Sequence, residues 1–329
     1  MNVNNRGPIV PVIDGWRESL LIVADIDHWV RTYKALGDWD VRYEGDVGPD
    51  VIAFLGLPNG ARAKEALLGR TSAAYGDVRL MQIAAEFQAP LIRPDGKPAN
   101  YGGWFDLNAR VDDMGGRVAQ LQAMGWQGLC EPVEYDFGAN TVKEWVAGGP
   151  DGVFWALVER LQPPLAPEMQ PGAFGPHFNS TQIVANFAAA RRFYEVVLGF
   201  RIVVHLDNQP VMVRPGQNVI GLPHDVAAGQ KWSVAMMQPP GRMGGAVEII
   251  TLPGLPGQDF SARADPPNRG IISLRFPTDD LAALHAHLVA AGISIVRSPQ
   301  PVSIPPCGEV TMMTVRGPCG ARLDFFQSG

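Results

Sequence analysis

The chain is written twice. Its clearest interruption is QPPLAPEMQPGAFGP, Gln162 to Pro176, where five prolines and two glycines prevent a sustained helix or a central strand. This stretch reads as an interdomain linker, and the sequences on either side of it match. IVAD at 22–25 leads through an amphipathic stretch to Leu36-Gly37, and IVAN at 183–186 leads through FAAARRFYEVV to Leu198-Gly199. Gly56-Leu57-Pro58 answers Gly221-Leu222-Pro223, Asp112-Asp113 answers Asp279-Asp280, and Gly149-Pro150 answers Gly317-Pro318. Ile183 stands 161 positions after Ile22 and Gly317 stands 168 after Gly149, the slow drift that small loop insertions between duplicated copies produce.

Each half divides again. A short strand-like run, an Asp or Asn, and a helical stretch ending in Gly recur at 18–37, 105–125, 178–199 and 272–292. In DDLAALHAHLVAAG the apolar Leu281, Leu284, Leu288 and Val289 fall on one helical face, with Asp280 placed to cap the start and Gly292 to end it. Strand-like runs divided by turn residues follow each helix, as in GEVTMMTV, GPCG and ARLDFF. The expected architecture is α+β: four βαβββ modules forming two domains, 10–162 and 177–329, with 163–176 as the linker. The 37 Gly and 29 Pro among 329 residues already argue against a helical bundle, while 46% hydrophobic residues provide for a core.

Several functions are disfavoured. A formal charge of −6 without any basic cluster speaks against a nucleic-acid partner, whose phosphates would need neutralising. No segment approaches 18 uninterrupted apolar residues, and MNVNNRGPIVPVIDGW lacks the basic and apolar regions of a secretory leader, so no membrane partner and a cytoplasmic location are expected. Cys130, Cys307 and Cys319 are too few and too dispersed for a disulfide framework or a thiolate metal site. Neither GxxxxGK[ST] nor a strand-to-helix GxGxxG occurs, so no nucleotide cofactor is expected, and G-x-S-x-G is missing as well.

Four stretches together carry a family likeness: NSTQIVAN at 179–186, FYEVVLGF at 193–200, GPDGVFWALVE at 149–159 and GPCGARLDFF at 317–326. With the repeat, they resemble the vicinal oxygen chelate superfamily of glyoxalase I, bleomycin-resistance proteins and extradiol dioxygenases. The resemblance implies U-shaped sheets of mixed and antiparallel strands, each wrapped round a pocket. It also implies metal ligands on the first and late strands of the modules. Carried over by position, the first-strand sites are Glu18, Asp106, Asn179 and Ser273, and the last-strand sites of the even modules are Ala156 and Asp324. Glu248 in GGAVEIIT takes a ligand carboxylate's place, with Met81 or Gln82 as its counterpart in the first module. None of these is a histidine, so the two-His-one-carboxylate iron site of extradiol dioxygenases is disfavoured. A divalent metal such as Mg²⁺ or Ca²⁺ remains open, with Glu248, Asp324 and His177 as candidate ligands.

Strand alternation singles out polar residues on its own. Glu248 shares a strand face with Ile250, and Asp324 shares one with Arg322 and Phe326. A carboxylate among apolar neighbours must be paired, protonated or wet. Were Glu248 and Asp324 to converge, their repulsion would raise one pKa and supply an acid and a base; alternatively each simply pairs with Arg275 or Arg322. WFDLNARV sets Phe105, Leu107, Ala109 and Val111 against Trp104, Asp106, Asn108 and Arg110. His177, two residues before Asn179, shares its face in an extended strand, and a bulge could bring it to the ligand position.

The leading expectation is an enzyme, a lyase or isomerase acting on a small oxygenated hydrophobic molecule. Glu248 and Asp324 would be catalytic, and Asn179, Ser273, Arg275, His177 and Asp106 would bind the substrate. The alternatives are a non-catalytic sequestration protein of the bleomycin-resistance type and an extradiol-like oxygenase with displaced ligands such as His177. A monomer and a homodimer are equally compatible.

Overall fold

The computed structural model describes residues 11–87, 89–211, 217–240 and 244–329. Residue 10, the expected start of the first domain, and most of the segment read for a leader lie outside the described residues.

The first module runs β1 (Glu18–Ile22), α1 (Ile26–Leu36), β2 (Asp40–Asp46), α2 (Pro49–Leu55), β3 (Ala63–Gly69) and β4 (Asp77–Ile83). The second has β5 (Asp106–Val111), α3 (Met114–Ala123), β6 (Gln127–Gly128), β7 (Val133–Phe137), β8 (Asn140–Gly148) and β9 (Phe154–Gln162). In the third are β10 (Phe174–Ile183), α4 (Phe187–Arg192), β11 (Arg201–Pro210), α5 (His224–Ala227), β12 (Lys231–Gln238) and β13 (Ala246–Thr251). The fourth comprises β14 (Gly270–Pro277), α6 (Leu281–Ala290), β15 (Ile295–Ile304), β16 (Gly308–Arg316) and β17 (Arg322–Ser328).

One local device starts all four module helices. Asp25, Asp113, Asn186 and Asp280 each sit in extended backbone and accept the amide of the residue three positions on, at 2.9, 3.0, 3.0 and 2.8 Å. Gly125, Gly199 and Gly292 then turn the chain at φ of +90°, +74° and +72°, where a Cβ would be strained. The Gly-Pro-Asp-Gly and Gly-Pro-Cys-Gly turns share a left-handed third residue, Asp151 at φ 58° and Cys319 at φ 49°. Asp151 uses that geometry to accept from Ala24 N and Trp29 Nε1, tying the second module to the first.

The modules pair across the expected boundary rather than within it. One sheet has the order β15-β16-β17-β14-β1-β4-β3-β2, joining the fourth module to the first. The other runs β11-β12-β13-β10-β5-β9-β8-β6, with β7 on β8, joining the third to the second. The division into 10–162 and 177–329 is therefore corrected: neither half forms a sheet of its own. Nor is all of 163–176 linker, because β10 begins at Phe174. The antiparallel pairs β1–β14 and β5–β10 hold each sheet together at its centre. The two crossings between sheets run side by side, bridged at Leu91–Arg269 and Tyr101–Asp259.

The main core lies between the sheets, where Trp29, Leu121, Tyr194 and Leu284 of the helices meet Leu21, Leu107, Ile249 and Leu274 of the strands. The inner faces differ. In the first sheet, α2 packs Val51, Phe54 and Leu55 against Leu20, Ile22, Met81 and Met312, filling the space. The second sheet keeps a cavity.

Candidate active site

Strand register decides what each inner face carries. In the third module Thr181 pairs with Glu248, and the equivalent steps elsewhere are Leu20 with Arg79, Asn108 with Ala156 and Arg275 with Asp324. The first-module counterpart of Glu248 is thus Arg79, not Met81 or Gln82. Met81 is buried in the apolar filling, and Gln82 accepts from Ile26 N at 3.0 Å.

That arginine closes the first sheet. Arg79 donates to Glu18 at 2.8 Å and to Glu65 at 2.9 Å, while Arg275 donates to Glu18 at 2.6 Å and lies 3.5 Å from Asp324. Asp324 also accepts from Ser273 Oγ at 2.6 Å and Thr314 Oγ1 at 2.7 Å. All these side chains are buried. Burial alone would raise the Glu18 carboxyl, but the two guanidiniums outweigh it and hold the group down at about 2. Glu18, Ser273, Arg275 and Asp324 are therefore bonded to one another, and Asp324 does not converge with Glu248, which stands in the other sheet.

The second sheet brings Asp106, Asn179 and Glu248 together in a cavity of about 110 Å³. Its walls are largely apolar, with Phe105, Phe137, Val146, Phe178, Trp232 and Ile250 among them. From Asp106 onward the strand alternates as expected, but Phe105 turns to the cavity and Trp104 to the main core, because the strand begins only at Asp106. Asp106 Oδ1 accepts from Thr181 N at 3.1 Å and from Asn108 Nδ2 at 3.1 Å, and Thr181 Oγ1 lies 3.3 Å from Glu248 Oε1. Asp106 and Arg110 do not neutralise each other. The Arg110 guanidinium lies 3.9 Å over the Phe178 ring.

A third carboxylate, Glu144 on β8, was missed by sequence reasoning and completes the group, with the Tyr135 hydroxyl donating to its Oε2. Its signal was legible: in TVKEWV, Val142, Glu144 and Val146 alternate on one face, the same glutamate-among-valines pattern as in AVEIIT. Burial pushes Asp106 and Glu144 each up to about 7. Glu248 is raised well above its ordinary range, first by burial and then by repulsion from Glu144 and Asp106. Tyr135 is raised by burial and by Glu144, so it stays a donor. Near neutrality the three carboxyls therefore hold protons that exposed carboxyls would have lost.

His177 belongs to neither site. A register shift between His177 and Asn179 does occur, but it turns the imidazole into the main core rather than toward the ligand position. There it is fully buried among Tyr33, Trp39, Trp155 and Phe174, with Nε2 2.8 Å from the Tyr33 hydroxyl. Burial lowers it to about 3, so it is neutral.

The residues present do not fit a metal centre. Of the four ligand positions in the second sheet one is Ala156, Asp106 Oδ1 is taken up by Thr181 and Asn108, and Asn179 supplies a weak amide oxygen. Among the described residues no three His, Cys, Asp or Glu side chains gather closely enough to hold an ion. Also among the described residues, no helix is long and apolar enough to cross a membrane.

Comparison with known proteins agrees with this architecture. Residues 176–325 match the family described as Glyoxalase/Bleomycin resistance protein/Dioxygenase superfamily. Glyoxalase I from Zea mays superimposes over 95% of this chain and 92% of its own, at 16% identity and a TM-score of 0.61. A putative dioxygenase from Bacillus subtilis does so over 97% and 86%, at 10% identity and a TM-score of 0.59. No curated protein sequence matches. At these identities the structural likeness speaks for fold alone.

Proposed function

We propose, from the match of residues 176–325 to the Glyoxalase/Bleomycin resistance protein/Dioxygenase superfamily and from the shared fold, that this chain acts as a vicinal oxygen chelate protein whose cavity between the second and third modules moves a proton on a small, oxygenated, largely apolar molecule, in a lyase or isomerase reaction. One observation carries this reading: Asp106, Glu144 and Glu248 reach a single apolar-walled cavity from three strands. A passive pocket has no use for three carboxyls whose burial is costly, whereas acid-base chemistry needs groups poised near neutrality.

The roles follow from the surroundings. Glu248, raised by burial and by repulsion from both other carboxyls, is the protonated member and serves as the acid toward a carbonyl or enolate oxygen. Glu144 receives the Tyr135 hydroxyl, which favours its ionised form, and serves as the base toward a carbon-bound proton beside that carbonyl. Taking the carbon proton onto Glu144 and giving the Glu248 proton to oxygen yields an enol; where the deprotonated carbon bears a hydroxyl, returning the Glu144 proton to the former carbonyl carbon while that hydroxyl gives its proton to Glu248 completes an isomerisation, and return to the original carbon gives exchange alone. Asp106, fixed by Thr181 and Asn108, contributes repulsion that raises both partners.

A suitable probe is 2-hydroxyacetophenone in deuterium oxide, followed by proton NMR. Faster exchange at its carbinol carbon with the protein, lost in Glu248→Gln with the fold retained, is the expected result. Exchange no faster than in buffer, together with stoichiometric binding of the probe, would replace this reading by sequestration, which the aromatic walls also suit. His177 lies in the core, away from the cavity, so it is not placed to serve as a displaced iron ligand of an extradiol-like oxygenase.

A further inference from the structure

We propose that Arg110 and Arg160 form an anion-binding subsite at one end of this cavity, so that the molecules it takes have an apolar body ending in a carboxylate or phosphate group. This rests on the reading that the cavity is the working site, and adds a class of ligand to it.

The argument begins with unmet charge. Arg42, Arg79, Arg275, Arg316 and Arg322 each have a carboxylate partner within 3.0 Å. Arg110 and Arg160 line the cavity and have none among the described residues. Arg160 donates to Asn140 Oδ1 at 2.6 Å, and Arg110 interacts with the Tyr75 hydroxyl and the Phe178 face. Each guanidinium carries five donors, so most of this hydrogen-bonding capacity is uncommitted. The two cations are also near enough that Arg160 lowers the Arg110 pKa, and burial lowers both. An anion between them would relieve both costs and offer the fork geometry that guanidinium prefers. Arg93 shows what a satisfied unpaired arginine looks like here: it donates to the carbonyls of Gly102 and Asn100 and lies over two phenyl rings.

Register sets the length of the ligand. Asp106, Thr181 and Glu248 form one row across β5, β10 and β13. Arg110 stands four residues farther along β5, roughly 13 Å away at strand spacing. Phe178 lines the cavity between these polar groups. Arg110 also borders an outer cleft of about 680 Å³ with Tyr75 and Pro176, so the charged end faces a route to solvent.

Titration calorimetry with 3-phenylpropanoate, phenyl phosphate and the neutral 3-phenylpropanamide tests the proposal. The wild-type chain should bind at least one anion about tenfold more tightly than the amide. Arg110→Met and Arg160→Met should each remove most of that preference without changing amide binding, and Arg160→Lys should restore part of it. The stronger anion identifies the head group as carboxylate or phosphate. Equal binding of anions and amide, equal losses for all three probes in the Met variants, or no binding of any probe by the wild type would overturn it. Arg160 is partly exposed, so its variants remain informative if Arg110→Met does not fold. Proton exchange by the wild-type chain separates the two readings: anion preference with exchange no faster than in buffer sinks only the acid-base role, and exchange without anion preference sinks only the subsite.

Discussion

Arg275 donates a 2.6 Å hydrogen bond to Glu18, 257 positions away in the chain. This contact joins the last module to the first and uses two residues that stand where a pocket's polar floor would otherwise be. The first sheet carries its own cations at the centre of its inner face, and each carboxylate there is answered. In the second sheet Ala156 stands where Arg79 and Asp324 would be, and Asp106, Glu144 and Glu248 face one another without an intervening arginine. One duplicated architecture thus yields a closed, self-neutralised sheet and an open, charged one.

The closed cluster should be sensitive to removal of a single member. Arg79→Met leaves Glu18 and Glu65 buried without their shared partner, and should cost about 3–5 kcal/mol in urea unfolding. Arg79→Met combined with Glu65→Gln should recover part of that loss. A cost below about 1 kcal/mol for the single variant would show that the network is not closed as described.

Glu248→Gln and Asp324→Asn should separate chemistry from stability. The first should lower exchange of 2-hydroxyacetophenone about 10²–10⁴-fold with little change in unfolding midpoint. The second should lower the midpoint, because Asp324 holds Ser273, Thr314 and Arg275, and leave the exchange rate near wild type. The reverse pattern would relocate the site to the first sheet.

Asp106 makes a pH prediction with a definite sign. Its carboxyl sits at about 7 in the folded chain, against an ordinary 3.8. Between these values the unfolded chain releases the proton first, so the stability this group contributes is full below about pH 4 and is lost as pH rises toward 7. Relative to wild type, Asp106→Asn should therefore gain roughly 4 kcal/mol between pH 4 and 7. A stability difference that stays constant over that window would contradict the raised carboxyl.

His177 should act in the opposite direction. Burial holds it at about 3 instead of 6.5, so the unfolded chain takes up a proton first as pH falls. Its contribution is full above pH 6.5 and is lost toward pH 3. His177→Phe combined with Tyr33→Phe removes both partners of the buried hydrogen bond, and should flatten the acid limb of stability while leaving proton exchange intact.

Removal of divalent ions offers a further check. Prolonged dialysis against a chelator should leave the exchange rate of the wild-type chain unchanged, since the donors in the cavity do not gather into a coordination set. Loss of activity restored by one added metal would show that Asp106, Asn179 and Glu248 close around an ion.

The modules themselves were legible in the sequence. Capping by Asp25, Asp113, Asn186 and Asp280 acts over three residues, and the turns at Gly125, Gly199 and Gly292 act over one, so the helix boundaries are inscribed locally. Strand alternation likewise marked Asp106 and Glu248 as polar residues among apolar ones, and it would have marked Glu144 had it been applied to β8. Partners are a different matter. Glu248 and Asp324 carry nearly the same local pattern, yet Asp324 meets an arginine supplied by β14 while Glu248 meets Glu144 and Asp106 from the second module. The bulge beside Asn179 turned His177 to the other face, because one extra residue reverses everything that alternation predicts. The sequence by itself determined four like modules, since their signals act within a few residues along the chain. Only the tertiary structure decided that the first joins the fourth and the second the third, and hence which carboxylates are neutralised and which are left to do chemistry, because those outcomes depend on charges brought together from as far as 257 positions apart.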